Sequence, residues 1–144
     1  MRVLIDTNVA ITFLTKRDDP YTKEADQILM MCASGELDGA IALHSLSTIW
    51  YMARKLNPVA VRSWIRQLVT ILTVAGTNNQ ALLSAVDRDE FTDFEDAMQD
   101  CCAAEFEADY IITANIRDFR NSRIPAISPK DFVDLGHDQN HQAE

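Results

Sequence analysis

The stretch Arg2–Asn8, RVLIDTN, begins with a short apolar run and ends in three polar residues. The next residues, Val9–Leu14, are mostly apolar at near-helical spacing. Such an apolar run followed by a polar turn and a helical pattern indicates a strand, a turn and a helix. Asp6 is thereby predicted at the carboxyl end of a strand.

The same alternation of strands and helices continues along the chain. The predicted strands occupy residues 2–5, 38–43, 72–75, 110–113 and 124–127. The predicted helices occupy residues 9–14, 21–34, 45–55 and 59–72, and three more begin at 77–80, 92–95 and 128–131. This order favours right-handed crossovers and a parallel sheet covered by helices, because each crossover returns the chain to the same sheet. A functional site is then expected in the crevice beyond the strands' carboxyl ends.

Local signals mark where several helices begin or end. Gly35 is a plausible C-terminal stop, and Asn57 with Pro58 offers an N-cap and a first helical position. Residues Thr77–Gln80 and Thr92–Glu95 both match the capping-box pattern, in which a threonine and an acid or amide three residues later satisfy the first backbone N–H groups.

Length and composition indicate one globular domain. The chain has 144 residues, of which 47% are hydrophobic and 24% charged, enough for one sizeable core. We predict a single domain over residues 1–135 and a polar tail over 136–144. Three cysteines, two of them adjacent, are poorly suited to a disulfide framework. The sequence contains no apolar run near the ~18 residues of a membrane span, so we expect a cytoplasmic protein with no membrane partner.

The charge balance argues against a general nucleic-acid coat. The chain carries 13 basic and 22 acidic residues, a net charge of -9, whereas such proteins show a basic patch. A nuclease is not excluded, because bound cations neutralise the carboxylates of a metal site and meet the phosphate themselves.

Three acidic residues are predicted to share one crevice. Asp6 follows the first strand, Asp96 lies in the first turn of a helix, and Asp118 follows the strand that ends at Thr113. Each has an ordinary alternative, respectively a helix cap, a favourable contact with the helix dipole and a loop position. Carboxylates gathered in a dry cleft repel one another, so such a group normally holds a cation or shifts a pKa. Oxygen-only ligands indicate Mg²⁺ or Mn²⁺.

Further acids lie on the same predicted helix. Asp93, Asp96 and Asp100 fall on one face, opposite a predicted buried stripe that begins at Phe94. Asp93 is a candidate second ligand or a support for the ligands, whereas Asp100 is predicted to be solvated. Glu95 is interpreted as the reciprocal half of the capping box.

Three motifs together resemble a known family. Residues Leu4–Asn8 look like the opening of PIN domains, Asp93–Ala97 look like their central acidic helix, and Thr113–Phe119 look like their closing motif. Order and spacing agree, and the similarity runs from Arg2 to about Val133. Among PIN domains, the chain looks most like bacterial toxins of the VapC type.

The resemblance implies a PIN-like three-layer α/β/α domain with a central, mainly parallel sheet of four to five strands. It also implies a metal-dependent endoribonuclease that binds Mg²⁺ or Mn²⁺ and hydrolyses RNA phosphodiester bonds. Its metal ligands and catalytic residues would be Asp6, Asp96 and Asp118, with Asp93 as a further ligand. Polar groups beside the metal or the scissile phosphate would be Thr113, Asn115 and Asn8. A homodimer and, for a toxin, an antitoxin that blocks the cleft are the implied partners.

One departure from the family pattern leaves alternatives open. Many members carry a glutamate on the helix after the second strand, where this chain has Thr48. Asp93 could substitute for it, or the site could recruit its second metal only with substrate, or the domain could be a catalytically degenerate RNA-binding or protein-interaction module. A receiver-like or phosphatase-like domain with Asp6 as phosphoryl acceptor is a further alternative, although the second acid expected two residues on is absent.

Other candidates have mainly structural interpretations. Trp50, Tyr51 and Trp64 are predicted to be core or dimer contacts, although aromatic rings can also stack on bases. An arginine group close to Asp118 would either guide the RNA backbone or form a solvated loop; it comprises Arg117, Arg120 and Arg123.

Overall fold

The sheet contains five parallel strands in the order β3-β2-β1-β4-β5. A computed structural model describes residues 1–142. The strands are β1 Arg2–Ile5, β2 Asp38–Ala42, β3 Thr73–Ala75, β4 Tyr110–Ile112 and β5 Ala126–Ile127. All five predicted strands are confirmed, and the sheet order differs from the 2-1-3-4-5 order of receiver domains.

Seven α-helices and one short 3-10 helix occur in the described part of the chain. They are α1 Thr7–Thr15, α2 Thr22–Ser34, α3 Leu43–Leu56, α4 Val61–Ile71, α5 Asn79–Val86, α6 Phe94–Glu105, the 3-10 helix Ile116–Phe119 and α7 Pro129–Gln142. Gly35 ends α2 with a positive φ of 84°, as predicted from its freedom to adopt this conformation. Within residues 1–142, no helix is both long and apolar enough to cross a membrane.

Two hydrophobic cores cover the two faces of the sheet. Val3 and Ile5 point into a core formed with α1, α2, α3, α4 and α7, whereas Leu4 points into a second core with α5 and α6. Successive residues of a strand face opposite sides, so a continuous apolar run is what a strand covered on both faces requires. The predicted three-layer α/β/α architecture is confirmed.

The chain reverses its direction of winding at β1. From β1 the chain moves outward through β2 to β3, and it later returns to add β4 and β5 on the other side of β1. The carboxyl ends of β1 and β4 therefore flank a crevice that no crossover covers, which is where open parallel sheets bind ligands.

Both predicted capping boxes are wrong in detail. Asn78, not Thr77, caps α5 by accepting a hydrogen bond from the backbone N–H of Ala81. Asp93, not Thr92, caps α6 by accepting one from the backbone N–H of Glu95. Asparagine and aspartate are at least as good as threonine at this position, so each helix begins one residue later than its pattern suggests.

Two further expectations differ from the structure. Helix α7 continues past the predicted domain boundary at 135 through Gln142, so residues 136–142 of the predicted tail are helical, whereas residues 143–144 lie outside the described part of the chain. Phe94 is 45% exposed instead of opening the buried stripe of α6, because it lies at the first position of the helix, beyond the edge of the core.

Candidate active site

Asp6 lies at the centre of the crevice, immediately after β1. Its backbone N–H bonds to the carbonyl of Ile112, which extends the β1–β4 pairing by one residue. One carboxylate oxygen, Oδ2, accepts a hydrogen bond of 2.8 Å from the hydroxyl of Thr113. The other, Oδ1, accepts bonds from the backbone N–H of Thr7 at 2.8 Å and from Nε2 of Gln99 at 2.9 Å. Asp6 therefore both caps α1 and holds one fixed orientation.

Gln99 supports Asp6 from the buried face of α6. The side chain is 1% exposed, and its Nε2 also lies 3.3 Å from the hydroxyl of Thr7 and 3.2 Å from that of Ser45. Its Oε1 is buried without a hydrogen-bond partner in the described structure. Sequence reasoning missed this residue because a neutral amide inside a helix carries no spacing signal. The signal that could have found it is its position three residues after Asp96, one turn along the same face.

Asp96 has a strongly perturbed carboxyl group. The side chain is half-buried on the first turn of α6. Burial, reinforced by the negative charges of Asp93, Asp118, Asp6 and Glu95, raises its pKa to about 7. Burial also raises the pKa of Asp6, although the bonds from Thr113 and Thr7 act in the opposite direction. The crevice therefore concentrates negative charge that the protein does not neutralise.

The crevice opens as a small acidic cleft of about 190 Å³. Five carboxylates line it, from Asp6, Asp93, Glu95, Asp96 and Asp118. Two amides, from Asn8 and Asn115, lie beside them, with Thr7, Thr48, Met52 and Gln99 completing the wall. Within residues 1–142, no lysine or arginine side chain contributes to this wall.

The carboxylate, amide and hydroxyl oxygens of this wall suit a hard divalent cation. In the described part of the chain, no three carboxylate, imidazole or thiolate side chains already converge closely enough to hold a metal ion. Asp118 is exposed and Glu95 is half-buried, whereas Asp6 is fixed. The outer carboxylates can therefore turn toward Asp6 and Asp96 without disturbing the core.

Comparison with known proteins agrees with the motifs and the topology. Residues 2–117 match the family model described as PIN domain. The chain belongs to the PIN-domain family. No curated protein sequence matches it significantly.

Solved structures share the fold of this PIN domain. A chain of VapBC2 from Rickettsia felis, bound to a DNA fragment from its promoter, is 16% identical with a TM-score of 0.70, and the match covers 89% of this chain and 98% of that one. A chain of DNA-bound VapBC from Salmonella typhimurium is 18% identical with a TM-score of 0.67, covering 90% and 98% respectively.

The structure brings most of the predicted site residues of the PIN domain together. Asp6, Asp93, Asp96 and Asp118 all line the cleft, with Asn8 and Asn115 at its wall. Thr113 does not line it. The Thr113 side chain is fully buried, donates its hydroxyl to Asp6 and accepts a bond from the backbone N–H of Asn115. Thr113 therefore contacts Asp6 from behind the cleft instead of lining it.

One expectation about a charged residue of the PIN domain is wrong. Asp100 is fully buried instead of solvated, because the loop after the 3-10 helix covers it. Its carboxylate accepts bonds from the Ser122 hydroxyl and from the guanidinium groups of Arg88 and Arg123. Arg123 is therefore committed to Asp100, while Arg117 and Arg120 remain exposed beside Asp118.

The three aromatic residues differ in burial. Trp50 and Trp64 pack against the core as predicted, whereas Tyr51 is 55% exposed beneath the side chains of Arg54 and Lys55.

Proposed function

We propose that this PIN domain is a Mg²⁺- or Mn²⁺-dependent ribonuclease that hydrolyses RNA phosphodiester bonds. The observation that carries the proposal is the acidic cleft at the carboxyl edge of the sheet, which is lined by five carboxylates and, among the described residues, by no lysine or arginine side chain. A polyanionic substrate would be repelled from such a cleft unless cations were bound there.

The proposed roles of the side chains follow from the hydrogen bonds that hold them. Asp6, fixed on both oxygens, would hold divalent ions together with Asp96 and Asp118. Divalent ions bound there would lower the pKa of an attacking water and stabilise the charge that develops on the phosphate. Asn8 and Asn115 would donate hydrogen bonds to phosphate oxygens from the wall of the cleft.

We expect Asp96→Asn to fold and to lose more than about 100-fold of the Mn²⁺-dependent cleavage rate, because loss of a mere hydrogen-bonding partner of a metal ligand typically costs 10- to 100-fold. The assay is cleavage of a labelled structured RNA with Mn²⁺, Mg²⁺ or EDTA. Asp18→Asn, at an exposed loop position outside the cleft, is the matched control. Undiminished cleavage by Asp96→Asn would contradict the proposed function.

A catalytically degenerate PIN module is the competing proposal. Its support is Thr48, which leaves the α3 wall of the cleft without a carboxylate. Such a protein would bind RNA without cutting it in either Mg²⁺ or Mn²⁺, so binding and cleavage measured on the same RNA distinguish the two functions.

We further propose that the protein acts in the cytoplasm as the toxin of a toxin–antitoxin pair. Support comes from the fold shared with VapBC chains and from three buried, unpaired cysteines, which suit a reducing compartment. The antitoxin would insert an arginine toward Asp6, Asp96 and Asp118, because its guanidinium matches carboxylates bidentately. A complex that survives charge reversal of that arginine would count against this contact.

A homodimer is the proposed assembly. Its support is the set of exposed apolar side chains on α3 and α5, which comprises Leu43, Met52, Leu56, Leu83 and Val86. Exposed apolar groups of this kind favour burial against a second surface. Sedimentation equilibrium that shows only monomer at micromolar concentration would contradict the assembly.

A further inference from the structure

Glu95 lies on the first turn of α6 and faces α3 across the cleft. We infer that Glu95 is a metal ligand of this cleft and supplies, from α6, the carboxylate that α3 lacks at Thr48. The inference rests on the proposed function and assigns a fourth ligand to the same site.

The side chain of Glu95 is not used to cap its helix. Asp93 provides the cap, and Glu95 takes part only through its backbone N–H, which donates to the Asp93 carboxylate at 2.9 Å. In a capping box the glutamate would instead reach back to the N-cap backbone. The Glu95 carboxylate therefore takes no part in the cap.

The Glu95 carboxylate reaches the position that a longer side chain at residue 48 would occupy. Its Oε1 lies 3.4 Å from the hydroxyl of Thr48, so the two side chains meet end to end between α6 and α3. A threonine side chain ends one atom beyond Cβ, whereas the longer glutamate crosses the remaining gap from the other wall. A glutamate on either helix would place its carboxylate in the same part of the cleft.

The charges around Glu95 favour a bound cation. Glu95 lines the cleft with Asp6, Asp96 and Asp118, and within the described residues no lysine or arginine side chain joins that wall. Its contact with Thr48 is long for a hydrogen bond. The half-buried imidazole of His44 also lies close to Glu95, but a divalent cation would balance the charge of the whole group of carboxylates.

The consequence is a site with enough carboxylates for two ions. Asp6 lies centrally, Asp96 and Glu95 project from α6, and Asp118 faces them from the 3-10 helix. Two-metal sites hold their ions ≈ 3.5–4 Å apart and need carboxylates on both sides of the bridge. Glu95 is the ligand assigned to the α3 side.

The test is calorimetric titration of Mn²⁺ into the wild type, Glu95→Gln and the double variant Thr48→Glu/Glu95→Gln. The wild type should bind two ions. Glu95→Gln should weaken the second ion at least tenfold while keeping the first, and Thr48→Glu should restore it by returning a carboxylate to the same space. Glu105→Gln, an exposed glutamate on the same helix, should titrate like the wild type. Circular dichroism verifies that each variant is folded.

Two outcomes overturn the assignment while leaving the proposed function intact. One is equal binding of two ions by the wild type and Glu95→Gln, and the other is a loss in Glu95→Gln that Thr48→Glu fails to reverse. A wild type that neither binds Mn²⁺ nor cleaves RNA overturns the proposed function and this assignment together.

Discussion

Asp6 and Asp96 are held differently within one cleft. Asp6 is held on both carboxylate oxygens by Thr113, Thr7 and Gln99, whereas burial and neighbouring acids dominate the surroundings of Asp96. A fixed carboxylate can position an ion, and a carboxylate with a raised pKa marks where a positive charge is missing. The same residues therefore give the cleft its chemistry and lower the stability of the metal-free protein.

The raised pKa of Asp96 predicts a pH dependence of stability. Its pKa is about 7 in the folded protein and near 3.8 in the unfolded chain, so between these values the folded state binds the extra proton. Stability of the metal-free protein should therefore fall as pH rises from about 4 to 7. We expect the melting temperature in EDTA to be lower at pH 8 than at pH 5, and Asp96→Asn to show a smaller difference.

Asp18→Asn serves as the comparison, because this exposed loop position should keep the wild-type dependence. A melting temperature in EDTA that rises between pH 5 and pH 8, or an undiminished fall in Asp96→Asn, would show that Asp96 does not govern this window.

At the scale of elements, α6 serves two functions in successive turns. Its first turn presents Glu95 and Asp96 to the cleft, and the next turn buries Gln99 beneath Asp6 and Asp100 beneath the loop at 120–124. Although burial raises the pKa of Asp100, bonds from Ser122, Arg88 and Arg123 outweigh it and hold that pKa below its usual range. This network ties the segment that precedes α6 to the loop that follows Asp118.

Breaking the network at Asp100 should destabilise the domain. We expect Asp100→Asn to lower the free energy of unfolding by about 3 kcal/mol, because removal of one partner leaves the charges of a buried ion pair uncompensated. Urea denaturation measures the change. Glu105→Gln, at an exposed position of the same helix, should change stability by less than about 0.5 kcal/mol. Equal stability of the two variants would contradict a structural role for Asp100.

At the scale of the whole molecule, the fold was largely predictable because the strands and helices carry strong local patterns. The run Arg2–Ile5 and the segment Tyr110–Ile112 indicate buried parallel strands, and their neighbouring positions bring Asp6 and Thr113 to one edge. Helix starts were less predictable, since Thr92 and Asp93 are both good caps and only tertiary packing selects between them.

The interior of the site was not predictable from one sequence. Gln99 meets Asp6 across 93 positions of chain, and a neutral amide carries no periodic signal for such a contact. Asp100 looked like part of a solvated acidic face, because nothing local shows that Arg88 and Arg123 cover it. The local pattern suggests that the Glu95 side chain caps α6, whereas Asp93 provides the cap. These contacts depend on how distant segments pack.

The central claim is that the carboxylates gathered at the edge of the sheet form a cation site, and thermal melts with and without Mn²⁺ test it most directly. Wild type and Asp18→Asn should each gain about 2.7 kcal/mol when free Mn²⁺ is a hundredfold above its dissociation constant, which raises the melting temperature by several degrees. Asp6→Asn should be at least as stable as wild type in EDTA, because it removes a repelling charge while asparagine retains the cap, yet gain little from the ion. A wild type indifferent to millimolar Mn²⁺, or an Asp6→Asn variant that gains as much as the wild type, would contradict the account.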